Sequence, residues 1–192
     1  GLARAMNYEE GKCGYVNTKG EEVIPFSFYT ADAFSEGLAA VGVELSQAEG
    51  EIRYGYIDKA GNWVVEPKYR RAFAFQDGLA KVEDTDRNIG YIDKTGKEVI
   101  PLRYREITDF RNGKAFAQEK SGEVILIDTT GKKLKSIITG KYMREHGNGI
   151  ISIEAEEQVA PGRVEYVRLY FDENGRVSEK DAEWRMRLSE GL

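Results

Sequence analysis

Carboxylates make up most of the residues in this chain that are able to do chemistry. Glu44, Glu49 and Glu51 sit in one stretch, and Glu83, Asp84 and Asp86 in the next. Glu9 and Glu10, then Glu119 and Glu123, then Glu154, Glu156 and Glu157 follow the same rhythm. Two carboxylates about 5–10 Å apart, one of them held neutral, can hydrolyse a glycosidic bond. A row of carboxylates can instead steer a cationic partner. The periodic recurrence favours the second use and leaves a carboxylate hydrolase as the remote alternative. The same groups also serve a plainer end, either as a solvated rim or as partners for Lys68, Arg70, Arg71, Arg103 and Arg105.

Other chemistry is sparse. The single cysteine, Cys13, excludes an internal disulfide and a cysteine-rich zinc site. The single histidine, His146, has no second histidine or neighbouring cysteine to support a metal site. Both read as packing residues. Asp172-Glu173-Asn174-Gly175 is a calcium-like run without the twelve-residue EF-hand spacing. No phosphate-cradling loop and no Gly-x-Ser-x-Gly elbow occurs. The expectation is a protein that is not an enzyme, with no cofactor and no metal. Trp63 stands where sister copies carry Glu22 and Glu98, so it is expected to face solvent and to serve as a binding aromatic. The candidate binding surface is Trp63 with Glu44, Glu49, Glu51, Glu83, Asp84 and Asp86.

The elements that carry these residues are themselves copies. Gly14-Tyr15-Val16-Asn17, Gly55-Tyr56-Ile57-Asp58 and Gly90-Tyr91-Ile92-Asp93 each run into a glycine three residues on. Leu126-Ile127-Asp128 and Tyr170-Phe171-Asp172 are weaker echoes. A second phrase, Gly37-Leu38-Ala39 or Gly78-Leu79-Ala80, precedes each, and a third, Val23-Ile24-Pro25 or Val99-Ile100-Pro101, follows. The marker glycines are 1, 37, 78, 113 and 149, about 35–41 residues apart, which is the period of a repeat architecture. The first marker is Gly1, so the chain is expected to be a piece of a longer array or to have an incomplete first unit.

Each unit reads as short strands rich in Val, Ile, Tyr and Ala around one tight turn. The turn Asp accepts backbone N–H groups, and its Gly takes the left-handed conformation. Pro25, Pro67 and Pro101 are expected to end strands. Tyr15, Tyr56 and Tyr91 recur in phase and are expected in the core between repeats. Glu44–Arg53 and roughly Glu154–Val164 read as loop insertions. The only hint of a helical period is at Lys180–Leu188.

The 192 residues are 41% apolar and 32% charged, a balance that suits repeats, which expose more surface than a sphere. The net charge of -5 argues against nucleic acid as partner. No apolar run long enough to span a bilayer occurs.

These phrases resemble the WG repeat family, also called KWG repeats, whose pattern is Gly-Leu-Ala, Trp-Gly-Tyr-Ile-Asp, Gly and Val-Ile-Pro. The resemblance runs to about Gly131 and is fainter beyond. The family's Trp is here Cys13, Tyr54 and Ile89. The resemblance implies a bacterial protein built of β repeats, without catalytic residues. The fold expected is all-β: tandem antiparallel three-stranded meanders in a curved, elongated array, with a closed five-bladed propeller-like ring as the alternative. The whole chain is expected to form a single repeat domain over 1–192, with units starting near 1, 37, 78, 113 and 149 and the last two degenerate. The function expected is binding to a protein or surface polymer, with a structural spacer in a longer surface or envelope protein as the alternative. An envelope or secreted location is the expectation.

Overall fold

A computed structural model describes residues 1–46, 50–160 and 163–181. All regular structure among them is β, arranged as five successive antiparallel sheets. The first contains β1 (Ala3–Asn7), β2 (Lys12–Val16) and β3 (Glu22–Phe28). The second contains β4 (Thr30–Ala31), β5 (Leu38–Ser46), β6 (Glu51–Asp58) and β7 (Trp63–Tyr69). The third contains β8 (Arg71–Ala72), β9 (Leu79–Glu83), β10 (Ile89–Asp93) and β11 (Glu98–Tyr104). The fourth contains β12 (Glu106–Ile107), β13 (Lys114–Gln118), β14 (Glu123–Asp128) and β15 (Lys133–Thr139). The fifth contains β16 (Met143–Glu145), β17 (Ile151–Ala160), β18 (Arg163–Phe171) and β19 (Val177–Asp181).

The expected three-stranded meander is the body of every sheet. In four sheets a short strand of two or three residues joins its edge: Thr30 opposes Gly42 and Ala31 opposes Val41, and Arg71–Ala72, Glu106–Ile107 and Met143–Glu145 pair in the same way. This strand lies in the link after the Pro-aromatic phrase, too short to leave an alternating pattern in the sequence. The chain divides into two compact units, Gly1–Leu102 and Arg103–Leu192.

Turn chemistry follows the repeat. Asp93 Oδ1 accepts the N–H groups of Thr95 at 2.9 Å and Lys97 at 3.1 Å, and Gly96 closes the turn at φ 84°. Asp58, Asp128 and Asp172 do the same, with Asn17 as a working substitute. The marker glycine has a different task. Glu36 and Gly37 both have positive φ, and Ser35 and Leu38 exchange both backbone hydrogen bonds across them. That is the arrangement of a two-residue primed hairpin turn, whose twist matches the flanking strands.

Apolar side chains are buried between consecutive sheets. Tyr15, Ile24 and Phe28 of the first sheet pack with Ala39, Val41 and Ile57 of the second. Leu38, Tyr56 and Val65 of the second pack with Ala80, Val82 and Ile92 of the third. In the second compact unit, Phe116, Val124 and Leu126 pack with Met143, Ile151 and Ile153. No repeat could bury this face alone. Cys13 is one of the buried residues in the first cluster.

The repeat Gly before Tyr is set by backbone crowding. A Cβ at Gly55 would lie 2.3 Å from the Val65 carbonyl oxygen, and one at Gly90 2.5 Å from that of Ile100. In the fourth sheet Ile125 occupies the register position opposite Ser136, at a bulge.

Several sequence expectations need correction. Pro25, Pro67 and Pro101 do not end strands: they lie within β3, β7 and β11, which are edge strands, where a missing N–H breaks no central ladder. Glu44–Arg53 is not a loop insertion: β5 and β6 extend, and Val43 opposes Arg53 while Glu44 opposes Ile52. Glu154–Val164 likewise lies largely within β17 and β18. Extra residues inserted in matched pairs lengthen a hairpin, since each new pair satisfies its own backbone groups. At the tail, Val177–Asp181 is a strand, and 182–192 lie outside the described residues. Among the described residues no helix is long and apolar enough to cross a membrane.

Candidate interaction surface

Within each sheet the described carboxylates lie toward the end where β1–β2, β5–β6, β9–β10, β13–β14 or β17–β18 turn. Most are already engaged. Glu83, only 7% exposed, accepts from Arg70 Nη1 at 2.5 Å, with Arg71 Nε at 3.7 Å. Arg103 stands 3.6 Å from Glu119, and Lys133 lies 2.7 Å from Glu123. Arg168 lies 2.8 Å from Glu154. Arg70 and Arg71 of the link, with Arg103, Lys133 and Arg168 of the strands, thus neutralise part of the acidic ends.

Asp84 has a backbone role. Its Oδ1 accepts from the N–H of Asp86 at 2.9 Å and of Asn88 at 2.8 Å, with Arg87 at φ 62° taking the place of glycine. This repeats the Asp-to-Gly turn at the opposite end of the sheet. Asp86 is exposed. Glu51 pairs with Arg53 beside it, and Glu44 is half-buried on β5. Glu49 lies outside the described residues.

Trp63 is not on this end and does not face solvent freely. It opposes Ile57 near the turn at the far end of β6, and its ring meets Phe28 edge-on at 5.9 Å. It is half-buried against the core between the first and second sheets, whereas Glu22 and Glu98 are exposed. Six residues of strand separate Glu51 from Ile57, or about 20 Å. The candidate set therefore splits into an acidic hairpin end and a distant, packed Trp.

The acidic end carries apolar residues that the repeat comparison missed. Tyr8, in the β1–β2 turn, is 89% exposed, and Leu45 on β5 is 56% exposed. Tyr29 is also exposed, with Lys12 Nζ 5.8 Å from its ring centroid. These positions belong to stretches where the copies disagree, so no periodic signal marks them.

The opposite end is a set of sheet-to-sheet ties. Glu36 accepts from Lys94 Nζ at 2.9 Å and from the Gly78 N–H at 3.0 Å. In the second unit Asn112 donates to Glu173 at 3.3 Å and Lys114 to Asn174 at 2.8 Å. Hydrogen bonding to Lys94 holds the Glu36 carboxyl below its usual range. Hydrogen bonds, led by that from Asn62 in Asp58 and those from Thr95 and Thr130 in Asp93 and Asp128, lower the turn carboxyls. The backbone bond from Arg176 does the same for Asp172. A general acid needs the reverse shift.

His146 packs at the surface, its Nε2 2.7 Å from Ser152 Oγ and its ring tilted on Tyr170. Asp172 is committed to its turn. Among the described residues no three His, Cys, Asp or Glu side chains are grouped to hold a metal.

Five antiparallel sheets cut from one repeated phrase, with the repeated residues spent on turns and on sheet-to-sheet packing, define a tandem β-repeat protein. The chain belongs to the WG containing repeat family, whose pattern matches residues 14–44, 54–86 and 89–122, just over half of its length. Comparison with curated protein sequences found no match. Among solved structures the chain is similar to the WD40 β-propeller domain of Doa1, at 14% identity and a TM-score of 0.41. That match covers 93% of this chain and 63% of the other, so the chain spans less than two thirds of that protein's length. It is also similar to BamB from Moraxella catarrhalis, at 12% identity, 79% and 51% coverage and a TM-score of 0.43. A third similarity is to the tricorn protease, at 18% identity, 94% and 20% coverage and a TM-score of 0.44. Likeness at this level assigns no function.

Proposed function

We propose that the chain is a non-catalytic binding module whose acidic hairpin end takes a cationic protein segment. The observation that carries this reading is the company kept by Glu44 and Glu51. Exposed Leu45 lies beside Glu44, and exposed Tyr8, followed by Glu9 and Glu10, tips the hairpin of the preceding sheet. Exposed apolar side chains amid acidic ones suit a partner with basic and apolar residues. Trp63 contributes through the packing of β7 rather than as a contact. A location at the envelope or outside the cell fits a module of this kind.

The test is titration of the protein with a peptide of alternating lysine and leucine, followed by calorimetry at low and at high salt. Binding should weaken steeply with salt, because surface charge pairs are screened within about 8–10 Å. Replacing Glu44, Glu51 and Asp86 by their amides should weaken it further, and Tyr8→Ala should weaken it independently. An aspartate-leucine peptide that binds equally well would overturn the reading. The structural spacer gains from one observation: the repeated polar residues are spent on turns and sheet ties. If no peptide binds and none of these substitutions matters, the spacer reading replaces it.

A further inference from the structure

A groove of about 360 Å³ opens in the second compact unit, lined by Ser121, Thr139, Gly140, Lys141, Glu154 and Glu156. Its size falls within the range of about 300–1,000 Å³ typical of small-molecule sites. Its floor is held in place by backbone bonds. The Gly140 N–H donates to the Gly122 carbonyl at 3.0 Å, and buried Gln118 donates from Nε2 to the Gly140 carbonyl at 2.8 Å. The Lys141 N–H donates to the Glu154 carbonyl at 2.8 Å. Glycine is needed at 140, since a Cβ there would lie 2.4 Å from Ile153 Cγ2 and 2.7 Å from the Glu154 carbonyl oxygen.

The chemistry of the walls selects among ligand classes. Glu154 is matched by Arg168 at 2.8 Å and Glu156 by Lys141 at 3.5 Å, so the charges cancel in pairs. A cation would have to displace Arg168 or Lys141, and an anion would meet two carboxylates. No lining side chain is large and apolar, which removes the drive for a greasy ligand. Walls of paired charge and hydroxyls are complementary to a neutral ligand dense in hydroxyls. Its O–H groups donate to the carboxylates and accept from the ammonium, and Ser121 and Thr139 do either. Lys141 also donates to Tyr166 Oη at 2.7 Å, and Tyr142 is half exposed beside Lys141 in the link. Both rings stand outside the lining and are approached by cations, Lys141 Nζ 4.5 Å from the Tyr166 centroid and Arg105 5.4 Å from that of Tyr142, so recognition rests on the polar walls.

We propose that this groove binds one neutral pyranose residue, free or at the end of a glycan. The site uses none of the residues of the acidic hairpin end in the first unit, and stands or falls separately from that surface.

The experiment is an amide NMR titration of the whole chain with the methyl pyranosides of glucose, mannose and galactose and with N-acetylglucosamine. At least one should shift the amides of Ser121, Gly140, Lys141 and Glu154 in a saturable way, with a Kd of about 1–10 mM as suits a dozen heavy atoms. Glu156→Ala should weaken that binding by about tenfold with the rest of the spectrum unchanged. Thr139→Val should weaken it less, and Glu44→Ala not at all. Overturning results are equally concrete. The proposal fails if none of the four sugars saturates, if Glu156→Ala binds as the parent does, or if the same amides saturate only with methylamine or inorganic phosphate.

Discussion

Tyr56 donates its hydroxyl hydrogen to the backbone carbonyl of Phe73, 2.8 Å away in the link to the next sheet. Tyr15 does the same to Asp32 at 2.7 Å, one repeat earlier. The tyrosine of the repeat is therefore both a core ring and a pin that fixes where the following sheet begins. Tyr56→Phe keeps the ring and removes the pin. The loss should be about 1–2 kcal/mol, since the Phe73 carbonyl is left without this donor. Urea unfolding of Tyr56→Phe and Tyr15→Phe measures it, and a midpoint unchanged in both would refute the role.

The Gly of the same phrase should tolerate nothing larger. Gly55→Ala forces a Cβ against the Val65 carbonyl and should cost about 3 kcal/mol. Ile125, 1% exposed at the bulged position of the fourth sheet, behaves oppositely. There Ile125→Gly empties a filled site and should cost about 3–5 kcal/mol. Equal tolerance of Ala and Gly at position 55 in thermal unfolding would contradict the crowding.

Glu83 is buried enough to need its cation. Arg70→Ala leaves a nearly buried carboxylate with the longer Arg71 contact, and should cost about 2–3 kcal/mol. Gln118 holds the last position of β13, as Glu83 does in β9. Adding Glu83→Gln to Arg70→Ala should then recover part of the loss. A double mutant no more stable than Arg70→Ala alone would sink this account.

Acid should loosen the tight turns. The carboxyls of Asp58, Asp93, Asp128 and Asp172 sit below their usual range because backbone and side-chain donors hold the charged form. Folded pKa values below unfolded ones mean stability that is full above about pH 4 and lost as pH falls through the folded values. Asn17 builds the same turn without a titrating group. Replacing all four aspartates by asparagine should therefore flatten the acid limb of a stability profile while leaving the neutral value nearly intact. At the other extreme, burial raises the phenols of Tyr15, Tyr56 and Tyr69. The stability they contribute is present below about pH 10 and lost as pH rises through the folded values.

Trp63→Ala should destabilise the first unit by about 2–4 kcal/mol, because the ring covers Phe28. Binding of the lysine-leucine peptide should be unchanged under conditions where the variant is folded. A variant as stable as the parent but defective in binding would restore Trp63 as a contact residue.

Within the chain alone, five copies of one phrase were enough to read the architecture, because a turn is decided by residues within five positions of one another. Asp93 and Gly96 specify theirs wherever the turn is placed. In-phase Tyr15 and Tyr56 were legible as core for the same reason: every unit solves the same burial problem. The primed turn at Glu36-Gly37 was less legible, since a glutamate at positive φ breaks the usual preference for Asn or Asp.

What only the tertiary structure decided is the fate of side chains at positions where the copies differ. Trp63 looked like a solvent-facing replacement for glutamate, but Phe28 lay 35 residues earlier and within reach across the sheets. Glu83 looked like part of a ridge and was claimed by Arg70 and Arg71 from the link. The groove at Lys141 and Glu154 draws its lining from the β13–β14 turn, the end of β15 and the link after it, and β17. Local hydrogen bonding is written in neighbouring residues. Burial and charge pairing are settled by the sheet next door, about a repeat away in the chain, and there the differences between copies count for more than the phrase they share.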